Sequence, residues 1–142
     1  MKASLLFRIA SVLLVLFALG HTFGFLHFKP PTPEGLAVRD AMNNVHFRVG
    51  GGSFSYGGFY IGFGLFVTAY LLFSAVLAWQ ISSMTIRAPE AVTSIGWSLF
   101  AVQLASLVLS LIYFSLPPAV FSALIAACLG VGTWMSRGSA RQ

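Results

Sequence analysis

The sequence predicts an all-α membrane protein, a four-helix transmembrane bundle with a short surface helix in its first, outer loop. Of the 142 residues, 58% are hydrophobic and 8% are charged. A soluble domain averages about 45–50% apolar and about 25% charged residues, so this chain has too few charges to cover a water-exposed surface. Its length suits a single integral membrane domain over residues 1–142.

Four apolar runs account for the predicted spans, about residues 5–28, 56–81, 92–116 and 118–134. A membrane-crossing helix needs roughly 20 mostly apolar residues, and all four runs are long enough. The first run continues beyond the core length of a cleaved signal peptide, which favours a retained anchor helix. Pro117 and Pro118 are expected to end the third helix, with Pro118 in the first turn of the fourth.

The loop between the first two spans predicts the surface helix. Thr32-Pro33-Glu34-Gly35 resembles a helix start, and residues 36–47 follow with helical spacing. Gly50-Gly51-Gly52 is expected to end this helix and to let the chain turn back towards the membrane.

Lysine and arginine placement predicts the orientation. With the N-terminus inside, the inner side carries five of these residues and the outer loop carries three. The inner ones are Lys2, Arg8, Arg87, Arg137 and Arg141, and the outer ones are Lys29, Arg39 and Arg48. Both termini are therefore expected in the cytoplasm, and the helical class favours the inner membrane of a bacterium.

The net charge of +5 does not indicate nucleic-acid binding, because the basic residues are scattered singly with no aromatic-interleaved patch. Cys128 is the only cysteine, so an intramolecular disulfide is impossible. The bilayer is the partner that the composition itself implies.

Polar residues in three of the spans predict a binding site near the outer leaflet. An unpaired polar group in hydrocarbon costs several kcal/mol, so these groups are expected to face one another. The surface loop is expected to cover them. The predicted ligand-binding residues are His21, Asn44, His46, Tyr60, Gln103, Ser110 and Tyr113.

Structural interpretations of the same residues stay open. The pairs Gly20/Gly24 and Gly58/Gly62 are more typical of close helix packing or self-association than of ligand clearance. The stripe from Gln103 to Tyr113 also suits a hydrogen-bond ladder between helices. His21 is equally compatible with a functional and with a structural role.

Haem or metal binding is a minor alternative. His21 and His27 lie on roughly opposite faces of one helix and cannot clamp one iron, although His21 could pair with His46 or with a second copy. No Asp or Glu lies inside a span, which excludes a di-iron carboxylate site and disfavours proton or ion conduction. A small membrane enzyme would have to use His21 with Tyr60 or Tyr113 as an acid/base pair.

Several motifs in the first half of the chain carry a resemblance. They are Gly20-His21-Thr22-Phe23-Gly24, Pro33-Glu34-Gly35, Ala41-Met42, Phe47, Gly52-Ser53-Phe54-Ser55-Tyr56 and Phe59-Tyr60-Ile61-Gly62-Phe63-Gly64. Their order resembles a family of small bacterial four-span membrane proteins that has no assigned function. The resemblance implies the fold and no activity. The family pattern has further polar residues where this chain has Phe25, Phe54 and Gly58, which weakens a metal or catalytic interpretation.

Two functions remain ahead of the others on sequence alone. One is binding of a lipid- or quinone-like molecule in an outward pocket beneath aromatic walls formed by Phe23, Phe25, Phe59 and Phe63. The other is a role as an accessory subunit of a larger membrane complex. A catalytic role ranks below both.

Overall fold

The computed structural model describes residues 2–139, and the inner-side residue Arg141 lies outside them. In chain order the elements are α1 (Lys2–His27), α2 (Pro33–Asn44), β1 (His46–Val49), β2 (Gly52–Ser55), α3 (Tyr56–Met84), α4 (Pro89–Tyr113) and α5 (Leu116–Ser139). Within this range, α1, α3, α4 and α5 are long and apolar enough to cross a membrane. The predicted fold class, with its surface helix, is confirmed: the chain is a multi-pass helical membrane protein.

Local chemistry explains where the helices begin. Thr32 caps α2, its hydroxyl accepting a hydrogen bond from the Gly35 N–H at 3.1 Å, and Pro33 occupies the first turn as predicted. Helix α5 begins at Leu116, two residues before the predicted start. Prolines are tolerated there because the first N–H groups of a helix have no partner within it.

The segment after α2 differs from the prediction. The helix ends at Asn44 instead of continuing to residue 47, and His46–Val49 pairs antiparallel with Gly52–Ser55. Gly50 and Gly51 form the connecting turn with φ of 56° and 81°. Two successive positive φ values are those of the type I′ turn that joins two-residue hairpins, and glycine adopts them without steric cost.

The chain divides into two compact units. We call the first, from Met1–Ala18 and Tyr70–Gln142, the core unit, and the second, Leu19–Ala69, the hairpin unit. The core unit contains the buried apolar cluster, which includes Phe7, Leu14, Ile81, Val92, Ile125 and Leu129.

Close packing in the core unit joins α4 to α5. A methyl group added to Gly96 would overlap the side chain of Thr133, and one added to Gly130 would lie 3.0 Å from the ring of Phe100. These contacts place the two helices antiparallel, as their short connection requires. Glycine at both positions therefore permits the close approach of the helices.

One buried hydrogen bond links α1 and α3 within the core unit. The Ser11 hydroxyl donates to the carbonyl oxygen of Ala75 at 2.8 Å, and Ser11 is buried. Such a bond satisfies a hydroxyl that would otherwise be unpaired in an apolar surrounding. In the same unit, the ring of Phe17 in α1 stacks on that of Phe121 in α5, with 5.4 Å between centroids.

Candidate functional site

The hairpin unit contains an open groove of about 650 Å³ between the β-hairpin and the first turns of α3. We call it the hairpin groove. Its lining residues are His46, Ser53, Phe54, Ser55, Gly58, Phe59, Gly62, Phe63 and Phe66. Ligand pockets typically measure about 300–1,000 Å³, so this groove is large enough for a small molecule.

The helical wall of the groove follows from spacing along α3. Phe59, Gly62, Phe63 and Phe66 recur at steps of three and four residues, which brings them to one face of the helix. The rise of an α-helix makes this wall about 10 Å long from Phe59 to Phe66. An extended apolar group of a ligand could lie along it.

Glycine creates the space in this wall. A methyl group built on Gly62 would meet no atom within 4 Å among the described residues, and one on Gly58 would meet only the hydroxyl of Ser55, at 3.2 Å. This pair was predicted to favour close helix packing, yet in the hairpin unit it borders open space. This open space leaves room for a ligand beside Gly58 and Gly62.

Polar groups line the hairpin end of the groove. His46 and Ser55 are directly opposite each other in the β-ladder, and Ser53 lies two pairs further along the ladder, on the same face. The Ser55 hydroxyl accepts a hydrogen bond from the Gly58 N–H at 3.0 Å, which also caps the start of α3. The groove therefore combines a polar end with a phenylalanine wall.

His46 is held by a local hydrogen bond. Its Nδ1 lies 2.8 Å from the backbone carbonyl oxygen of Asn44. Because a carbonyl can only accept, Nδ1 donates this bond, and in the tautomer with a single ring proton Nε2 is an acceptor. Of the seven sequence-predicted site residues, His46 lines the groove, and Asn44 supports it through its backbone.

His21 occupies a different cluster of the hairpin unit. Its Nε2 donates to the carbonyl oxygen of Gly64 at 3.1 Å, and its ring lies 5.0 Å from that of Phe25. The Thr68 hydroxyl also donates to the Gly64 carbonyl, at 3.1 Å, and lies 2.8 Å from the hydroxyl of Thr22. These bonds join α1 to α3, which favours the structural interpretation of His21.

The remaining predicted site residues lie elsewhere. Tyr60 belongs to the hairpin unit and is exposed, but it does not line the groove. Gln103, Ser110 and Tyr113 belong to α4 in the core unit, where Gln103 and Ser110 are buried and Tyr113 is exposed. The Nε2 of Gln103 has no hydrogen-bond partner among the described residues, so this atom takes no part in the predicted ladder. That the α4 stripe shares a site with His21 stays a prediction.

Sequence reasoning gave no ligand contact to four groove residues, Ser53, Phe54, Ser55 and Phe66, and it gave Gly58 and Gly62 ligand clearance only as the lesser alternative. The signal was present in residues 46–55, where Gly50-Gly51 separates two short segments of equal length. A Gly-Gly pair between such segments is a hairpin signal. Of the four phenylalanines predicted to form aromatic walls, Phe59 and Phe63 line the groove and Phe23 and Phe25 do not. That they contact a ligand stays a prediction.

The described residues form no cluster of side chains suited to bind a metal ion. Between residues 2 and 139, no three His, Cys, Asp or Glu side chains come close enough together to hold one. The two histidines that the sequence could have paired have separate environments, since His21 bonds to Gly64 and His46 to Asn44.

Comparison with known proteins identifies no relative of this chain. No family model, no curated protein and no solved structure matches this chain.

Proposed function

We propose that this membrane protein binds a lipid- or quinone-like amphipathic molecule in the hairpin groove. The observation that carries the proposal is the composition of the groove, in which three phenylalanines of α3 form a wall that continues into a hairpin end with the polar residues His46, Ser53 and Ser55. An amphipathic ligand matches both parts, because its apolar chain is removed from water along the wall while its head group keeps hydrogen-bond partners.

Filling the groove tests this proposal. Gly62→Leu places a side chain in the open space and is expected to abolish retention of the ligand. Gly20→Leu is the matched control, because Gly20 also meets no atom within 4 Å among the described residues but does not line the groove. Native mass spectrometry of protein extracted in mild detergent would report a bound mass. A ligand retained equally by wild type and Gly62→Leu would refute the site.

The proposed orientation places both termini in the cytoplasm and the hairpin groove on the outer side of a bacterial inner membrane. It is supported by the lysine and arginine distribution. Labelling with a membrane-impermeant maleimide in a Cys128→Ala background tests it. Ser53→Cys is expected to react in intact cells, and Arg87→Cys only after lysis. The reverse pattern would invert the topology.

A role as an accessory subunit is the second candidate. One observation favours it: methyl groups built on Gly20 and Gly24 of α1 would meet no atom within 4 Å among the described residues. A small-residue face of this kind allows a helix of a partner or of a second copy to approach closely. Co-migration with a larger assembly, lost in Gly20→Leu but kept in Gly62→Leu, would select this role over ligand binding.

A further inference from the structure

We infer that the ligand of the hairpin groove has an uncharged head group with a hydroxyl donor, as in a hydroquinone ring, and that Nε2 of His46 accepts its hydrogen bond. This inference rests on the proposed function and narrows it from amphipathic molecules in general to one head-group chemistry. It gives His46, one of the ligand-binding residues that the sequence predicts, a specific role as a hydrogen-bond acceptor.

The tautomer of His46 is the first step. The 2.8 Å bond from Nδ1 to the Asn44 carbonyl puts the ring proton on Nδ1. When the ring carries this one proton, Nε2 has a lone pair available, and His46 lines the groove. A ligand that meets this nitrogen gains a hydrogen bond only if it donates one.

The serines supply the complementary groups. Since the oxygen of Ser55 already accepts from the Gly58 N–H, its own proton can donate to a ligand oxygen. Ser53 adds a second hydroxyl on the same face of the hairpin. His46 Nε2 as an acceptor and the two serine hydroxyls as donors match a hydroquinone ring, because each of its oxygens can both donate and accept a hydrogen bond.

Charge distinguishes this head group from a phosphate or carboxylate. None of the residues that line the groove is Asp, Glu, Lys or Arg. Phosphate and carboxylate groups are usually held by charge-assisted bonds from arginine or lysine. Arg48 is opposite Ser53 in the β-ladder but does not line the groove. An anionic head held by the lining residues alone would therefore lack a paired cation, which is costly beside phenylalanine.

Three probes with the same decyl tail test the inference on the full-length protein in detergent. They are decyl-hydroquinone, its dimethyl ether and decyl phosphate. The ether retains the ring and tail but cannot donate, so its affinity is expected to be about tenfold lower than that of the hydroquinone. In His46→Ala this preference is expected to disappear, with the hydroquinone binding no better than the ether.

His27→Ala is the matched control. The Nδ1 of His27 also bonds to a backbone carbonyl, that of Phe23 at 3.0 Å, and the side chain is exposed, but it does not line the groove. This variant is expected to keep the tenfold preference. His46→Gln, which retains an acceptor, is expected to restore part of it, whereas a merely structural role of His46 would lower the affinities of both probes together.

The outcomes separate the inference from the proposed function. Equal binding of hydroquinone and ether, both lost in Gly62→Leu, would overturn the head-group inference and leave the groove as the site. Tightest binding of decyl phosphate would do the same and identify an anionic ligand. Binding of no probe, or binding that Gly62→Leu leaves unchanged, would overturn the proposed function together with the inference.

Discussion

Gly96 offers the sharpest test of the helix packing in the core unit. Gly96→Ala would drive its new methyl group into the hydroxyl of Thr133, with Cγ2 and Cβ of Thr133 at 3.1 and 3.2 Å. Thr133 is fully buried, and its hydroxyl donates to the Leu129 carbonyl at 2.7 Å. The side chain therefore cannot rotate away without breaking this bond and meeting other packed atoms.

The expected magnitude follows from two opposing effects. Overpacking of a buried contact costs about 1–3 kcal/mol. We expect the upper end of this range because Thr133 is fully buried and its hydroxyl is hydrogen-bonded to the Leu129 carbonyl. Replacing glycine with alanine inside a helix stabilises the helix by up to about 1 kcal/mol, which offsets part of this cost. We therefore expect a net loss of about 2 kcal/mol in the free energy of unfolding.

A double-mutant cycle isolates the contact. Unfolding by titration with SDS in mixed micelles, followed by tryptophan fluorescence, would be measured for Gly96→Ala, Thr133→Ala and the double variant. Removing the Thr133 hydroxyl and methyl should recover most of the loss, because these atoms cause the overlap. Gly24→Ala is the control and should be neutral or slightly stabilising, since its methyl meets no atom within 4 Å among the described residues. A Gly96→Ala protein as stable as wild type would refute the packing of α4 on α5.

Further predictions concern single hydrogen bonds and the hairpin turn. Ser122→Ala should leave the free energy of unfolding unchanged or raise it, because the buried Ser122 hydroxyl has no partner among the described residues. Ser11→Ala loses the bond to Ala75 and should lower the free energy of unfolding by about 0.5–1 kcal/mol in the same SDS assay. His21→Ala should lower stability by about 1–2 kcal/mol through loss of the Gly64 bond and the Phe25 contact, yet leave ligand retention in the groove unchanged. Loss of the ligand at unchanged stability would restore the His21-centred site. Gly51→Val should destabilise the hairpin, because a β-branched residue tolerates the φ of 81° poorly, and should weaken probe binding, while Gly50→Asn should keep it.

The candidate site shows how far sequence reasoning could reach. His21 stood out because an ionisable group in a membrane span is rare, and that criterion correctly selected a residue with a specific environment. It could not distinguish a bond to Gly64 from a bond to a ligand, because the acceptor lies 43 positions away in the chain. His46 received less weight, although its bond to Asn44 is local and its loop forms the groove.

The glycines make the same point. By spacing, Gly58/Gly62 and Gly20/Gly24 form the expected packing pairs, yet methyl groups on Gly20, Gly24 and Gly62 would meet open space. Two other glycines of α3 do pack closely, since a methyl group on Gly64 would lie 2.8 Å from the ring of Phe25 and one on Gly57 would overlap the side chain of Asn43. Spacing reports which residues share a helix face, but not whether another element covers that face.

The sequence by itself determined the membrane class, the four spans and the start of α2 at Thr32, because these depend on composition, segment length and capping within a few residues. Only the tertiary structure decided that the polar end of the groove is formed by His46 and its hairpin neighbours while His21 is bonded to Gly64. The physical reason is that a side chain's role depends on which distant segment supplies its hydrogen-bond partner and on the space that segment leaves, and neither is set by neighbours in the chain.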